Sequence, residues 1–183
     1  MLMRHLNVFG KLLAIGLLTT LFASCHDEVD MDFRLTCNND LLEFVVPTVE
    51  YVDVDGNPQT ITIEATMWKD GTDNQKVWEK NLHFKSFGVT RQMTVKYASK
   101  EGVEKSKEVY TFVHQLICDV KTDDGHVTVH NITSVQTGIS TSVVQKDIVD
   151  NYINSLINTP DVCYVEVDED GKVKQSSEPH IGM

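Results

Sequence analysis

The chain is 183 residues long, 41% hydrophobic and 23% charged, with four cysteines and a formal net charge of −11; this is the composition of one globular domain and excludes disorder, collagen and coiled coil. A body of this size buries enough surface to hold a core without disulfides or metals. Residues 1–24 contain Arg4 and Lys11 and no acid, so the remainder is more acidic than the total, and such a surface repels phosphate backbones and rules against a nucleic-acid partner.

In chain order, Arg4, His5 and Lys11 precede an apolar run over residues 12–23 that ends in the small pair Ala23-Ser24. That is the layout of a signal peptide covering residues 1–24. The run falls short of the roughly 20 residues a spanning helix needs. Cys25 follows, and Leu21-Phe22-Ala23-Ser24-Cys25 resembles a bacterial lipobox, with Phe22 where Leu is usual. The resemblance implies cleavage before Cys25 and acylation of its thiol with chains such as palmitate, each buried methylene contributing about 0.8 kcal/mol of membrane affinity. The next segment, His26-Asp27-Glu28-Val29-Asp30-Met31-Asp32, is rich in acids. It resembles the export tag of Bacteroidota lipoproteins, which implies display on the outer face of the outer membrane. Residues 25–39 are read as a lipidated acidic tether and residues 40–183 as a single domain.

Within that domain, residues 89–98 alternate Val89, Met93, Val95 and Tyr97 with Thr90, Gln92, Thr94 and Lys96, the period of a strand with one wet face. Tyr110, Phe112, His114, Leu116, Cys118 and Val120 line one face of a longer strand. Asp124-Gly125 then suits a two-residue hairpin turn, pairing Val120 with Val129 and Asp119 with His130. Further strands are predicted over residues 43–54, 60–67, 77–87, 162–167 and 172–175. The last two are joined by Glu169-Asp170-Gly171, which pairs Val167 with Val173 and Glu166 with Lys174. Residues 143–158 carry Ile148, Val149, Tyr152, Ile153, Leu156 and Ile157 at helical spacing, with Ser142 and Gln145 placed as a capping box. The prediction is a mainly β protein: an antiparallel β-sandwich, Ig-like or related, with one late amphipathic helix.

With Cys25 acylated, Cys37, Cys118 and Cys163 remain. Cys118 and Cys163 fall on apolar strand faces, where a disulfide between them and two unlinked buried thiols are equally compatible with the pattern. No spacing frames a metal site: Asp53, Asp55, Asn57 and Glu64 match part of a calcium loop, but Pro58 stands where Gly is required. His126 and His130 share a strand face at roughly 13 Å, too far to share an ion. His114 on the apolar face is read as a hydrogen-bonded core histidine. No cofactor is implied.

Trp68 falls on the polar alternate of its predicted strand and is followed by Lys69-Asp70-Gly71-Thr72-Asp73-Asn74. Exposed beside Asp70, Asp73 and Asn74, its indole could stack on a glycan or dock a protein; Trp78 shares parity with Leu82 and Phe84 and belongs to the core. Motifs of nucleophilic, metal or phosphate chemistry are missing. The expectation is a non-enzymatic binding or accessory module, lipid-anchored at the outer membrane and facing the cell surface or the periplasm. A fimbrial or assembly subunit matured after Arg34 is the alternative, and a hydrolase with an unrecognised site is the third reading.

Overall fold

The computed structural model describes residues 27–123, 125–130 and 140–175; Cys25 and residues 1–24, read above as a signal peptide, lie outside these. Among the described residues, eleven strands build two antiparallel sheets. The first contains β1 (Val29–Asn38), β4 (Lys69–Asp70), β5 (Gln75–Phe84), β7 (Val109–Thr122), β8 (Gly125–His130) and β9 (Ser140–Gln145), in the order β4-β5-β1-β7-β8, with β9 pairing the first half of β7. The second contains β2 (Val45–Val52), β3 (Pro58–Thr62), β6 (Val89–Ser99), β10 (Asp161–Val167) and β11 (Val173–Gln175), in the order β11-β10-β6-β2-β3. Inward residues of both sheets, among them Phe33, Leu35, Trp78, Met93, Val95, Phe112 and Leu116, form one continuous buried core. The predicted antiparallel β-sandwich is the observed fold.

The main correction concerns residues 29–38, which sequence reasoning placed in the tether. They form β1, paired along its whole length with β5 and from Asp30 to Cys37 with β7. Val29, Met31, Phe33, Leu35 and Cys37 point inward and are fully buried or nearly so. Asp30, Asp32 and Arg34 take the outward positions, where Asp30 meets His83 (2.9 Å) and Asp32 meets Lys121 (3.3 Å). The acids thus occupy the wet face of a half-buried strand, and their density hid a period of two.

Two further elements differ from expectation. The strand predicted from residue 43 starts later: Asn38 caps a short helix, α1 (Asn39–Phe44), by accepting the Leu41 N–H at 3.2 Å, and β2 starts at Val45. The late helix, α2 (Val149–Asn158), is shorter than the predicted residues 143–158, because Ser142 to Gln145 belong to β9 and residues Lys146–Ile148 form a 3₁₀ turn. No capping box forms; the open edge of β7 claims the segment, burying Val144 and exposing Val143. In the β7–β8 hairpin, Thr122 lies opposite Gly125 and Val120 opposite Val127. The turn therefore lies one residue earlier than Asp124-Gly125 suggested and each partner on β8 shifts by two, a slip that keeps every side chain on its own face.

The pairing also sorts the connections into two ends. Where β1 begins, Val29 faces Phe84, Asp30 faces Lys121, and Val89 faces Val167. This entry end carries the β2–β3, β5–β6, β7–β8 and β10–β11 turns. The opposite end carries α1, α2 and the turn between β4 and β5.

Candidate functional site

The crossing from β3 to β4 builds a groove at the helical end. Ile63 N–H still donates to Pro47 O at 2.9 Å, continuing the pairing to β2. The chain then leaves the sheet through a 3₁₀ turn, Ala65–Met67, closed by Met67 N–H donating to Glu64 O at 2.9 Å. The turn resets the alternation: Met67 is exposed, and Trp68 is half-buried against the core. Trp68 thereby forms one wall of an apolar groove of about 550 Å³, with Leu42, Pro47 and Ile63 among its other walls and Glu64, Lys76 and Lys100 also lining it.

The residues predicted to act with Trp68 do not gather around it. Asp70 binds the Lys76 ammonium, which holds its carboxyl below the usual range through their hydrogen bond and charge attraction. It lines a separate depression with Arg34, Lys69 and Glu79. Asp73 and Asn74 are the central pair of the β4–β5 turn, with φ of 54° and 62° and Gln75 N–H donating to Thr72 O at 3.0 Å. Positive φ at both centres is what a type I′ turn needs, and Asp and Asn tolerate it. Asn74 then accepts the Asn39 N–H through its carbonyl (3.2 Å), docking the turn on α1. Sequence reasoning found Trp68 but missed Leu42, Pro47, Lys76 and Lys100, which come from four elements or connections and share no spacing.

A second constellation lies between the sheets near the same end. Asp161 on β10 accepts the Tyr97 hydroxyl at 2.6 Å, and His114 Nδ1 lies 2.8 Å from the same oxygen. Cys37 is the cross-strand partner of His114. All four are buried. Burial, helped by the Asp161 charge, pushes the Cys37 thiol far up, and burial likewise raises the Tyr97 hydroxyl well above its ordinary value. A thiol kept protonated and sealed from solvent is no nucleophile, so a cysteine, a histidine and an aspartate meet here as a strut between sheets. His114 is the hydrogen-bonded core histidine expected from its parity.

Cys118 and Cys163 are present as unlinked buried thiols, as is Cys37. The Cys163 sulfur lies 3.7 Å from Val129 O, and burial pushes its thiol up to about 12. On the outer face of the first sheet, Arg34 bridges Glu79 (3.4 Å) and Asp119 (3.5 Å), Lys69 reaches Glu79 (2.9 Å), and His126 reaches Asp119 (3.4 Å). Asp119 therefore meets His126, whereas the predicted register had placed it opposite His130. Arg34 and Lys69 are thus already paired with neighbours, and such surface pairs contribute about 0–1 kcal/mol each. Among the described residues, no group of three or more His, Cys, Asp or Glu side chains is placed to hold a metal ion, and no helix is long and apolar enough to cross a membrane. Asp53 serves the β2–β3 turn, accepting N–H groups from Asp55 (3.0 Å) and Asn57 (2.9 Å).

With fold and groove defined, the class is a two-sheet antiparallel sandwich with an apolar groove at the helical end. No family model, no curated protein and no solved structure matches the chain.

Proposed function

We propose that this protein is a lipid-anchored, non-enzymatic binding or accessory module of the outer membrane, held by acyl chains on Cys25 and displayed at the cell surface or toward the periplasm. The observation that carries the reading is the distance between motif and fold. Leu21 to Cys25 form the lipobox-like stretch, and β1 begins at Val29. Only His26, Asp27 and Glu28 intervene, a link that takes the chain at most about 14 Å from Cys25 to Val29. The entry end, with its four turns, would sit next to the bilayer, and the Trp68 groove would lie a strand length away, roughly 33 Å for ten residues. A membrane-distal groove with one half-buried indole suits a module that meets ligands, glycan or protein among them, from the medium.

The sealed state of Cys37, His114 and Asp161 supports a non-enzymatic reading over hydrolysis. Maturation after Arg34, which the assembly-subunit alternative needs, fits poorly, since Arg34 lies mid-strand in β1 between Glu79 and Ile117. Radiolabelled palmitate should enter the wild-type chain and not a Cys25→Ala variant, and protease added to intact cells should remove the body if it faces outward. Equal labelling of both chains, or none in either, would defeat the anchor.

A further inference from the structure

The chemistry of the Trp68 groove selects its occupant. We propose that it binds a small soluble ligand made of an apolar chain or ring bearing a carboxylate, an inference that rests on the reading of the helical end as a binding end. Leu42, Pro47, Ile63 and Trp68 give walls that reward burial and offer few side-chain polar partners. A volume of about 550 Å³ is in the range of small-molecule sites. The groove is also lined by two ammonium groups, Lys76 and Lys100, against the single carboxylate of Glu64. Asp70 pairs Lys76 from outside the lining, whereas Lys100 donates to the backbone carbonyl of Leu42, so a cation held by a neutral acceptor beside an apolar wall is complementary to an anion joined to an apolar body. A cationic amphiphile meets repulsion from Lys76 and Lys100.

Both ammonium groups have donors to spare. Lys100 Nζ donates to Leu42 O at 2.7 Å, and Lys76 Nζ donates to Asp70, whereas each –NH₃⁺ can donate three times. Asp70, whose side chain is 86% exposed, accordingly acts as a competitor: it holds Lys76 as its cross-strand partner in the β4–β5 hairpin, and a ligand carboxylate shares or displaces it. The link of three residues keeps the groove away from the anchoring bilayer, so the ligand arrives in solution.

The test uses the full chain in lipid nanodiscs with Trp78→Phe, which leaves Trp68 as the only indole of the two in the sequence. The probes are 3-phenylpropionate, 3-phenylpropylamine and 3-phenylpropanol, which share an apolar body and differ in charge. The expected result is a saturable change in Trp68 emission with the carboxylate alone. Lys76→Gln should weaken it about tenfold, the effect of losing one charged hydrogen bond, and Asp70→Asn should tighten it about threefold by freeing Lys76. Both substitutions are at the surface, and unchanged circular dichroism confirms the fold. No saturation with the carboxylate, an equal response to all three probes, or a preference for the amine overturns the proposal, as does a weakening by Asp70→Asn. Palmitate incorporation scored on the same chain separates the two readings: binding without acylation removes the anchor and keeps the groove, and acylation without binding does the reverse.

Discussion

The two ends of the sandwich close by different means. At the entry end, turns satisfy themselves: Asp53 Oδ1 accepts N–H groups from Asp55 and Asn57, and Asp168 Oδ1 accepts them from Asp170 (3.0 Å) and Lys172 (2.9 Å). One carboxylate reaches two and four residues ahead in each case. At the helical end the partners are remote in sequence. Asn38 accepts from Leu41 N–H and Val113 N–H and donates to Thr111 O, joining β1, α1 and β7, while Asp161 joins β10 to Tyr97 of β6 and His114 of β7. Local closure lets each of these two turns hold its own shape, although the β10–β11 turn also touches the β5–β6 turn, where Gly88 N–H donates to Asp168 O at 3.2 Å. Remote closure couples the sheets, so a single lost side chain there strands several buried groups.

The largest effect should follow from Asp161→Ala. It leaves the Tyr97 hydroxyl and His114 Nδ1 buried without their acceptor, at about 3 kcal/mol of stability, read as a lowered urea midpoint. A loss under about 1 kcal/mol would mean that the cluster is not the strut described. Asn38→Ala should cost about 2 kcal/mol, since it removes a helix cap together with two bonds to β7; coupling to Asp161→Ala in a double-mutant cycle would show that the end acts as a unit. At the entry end, Gly171→Ala should cost about 1–2 kcal/mol. Its φ is 78°, and a Cβ would stand 2.6 Å from the Phe87 ring of the β5–β6 turn. Additivity between Gly171→Ala and Asn38→Ala is expected, and strong coupling would break the contrast between the ends.

The same contrast explains what the sequence disclosed. The β10–β11 hairpin was legible to the residue, with Val167 opposite Val173 and Glu166 opposite Lys174, because Gly and Asp act within their own turn. The β7–β8 register was legible only modulo two, since burial distinguishes the faces of a strand and not positions along it. β1 went unread because Asp30 and Asp32 look solvated until Lys121, His83 and Asn81 are brought beside them. Trp68 was marked as a contact residue from a strand alternation that the 3₁₀ turn interrupts; the groove around it depends on Leu42, Pro47, Lys76 and Lys100, which only tertiary structure assembles. β9 shows the converse. Ser142 and Gln145 have the spacing of a capping box, and the free edge of β7 takes them into a strand instead.

The smallest expected effect, and the most selective, is on acid stability. The carboxyls of Asp53 and Asp168 are held below the ordinary value of 3.8, first by the backbone N–H groups of Asn57 and Lys172 respectively. A depressed folded value means that the unfolded chain binds protons first as pH falls. The stabilisation is therefore complete above the ordinary carboxylate range and is lost as pH drops through the folded values. Urea midpoints at pH 5, 4 and 3 should decline in the wild type, and the decline should be shallower in an Asp53→Asn, Asp168→Asn double variant, whose amides still accept from the turn N–H groups but no longer titrate. Since the two turns are independent, each single variant should remove its own share of the slope. If the double variant keeps the full decline, the acid sensitivity arises elsewhere in the fold, and the entry end loses its description as a set of separately titrating turns.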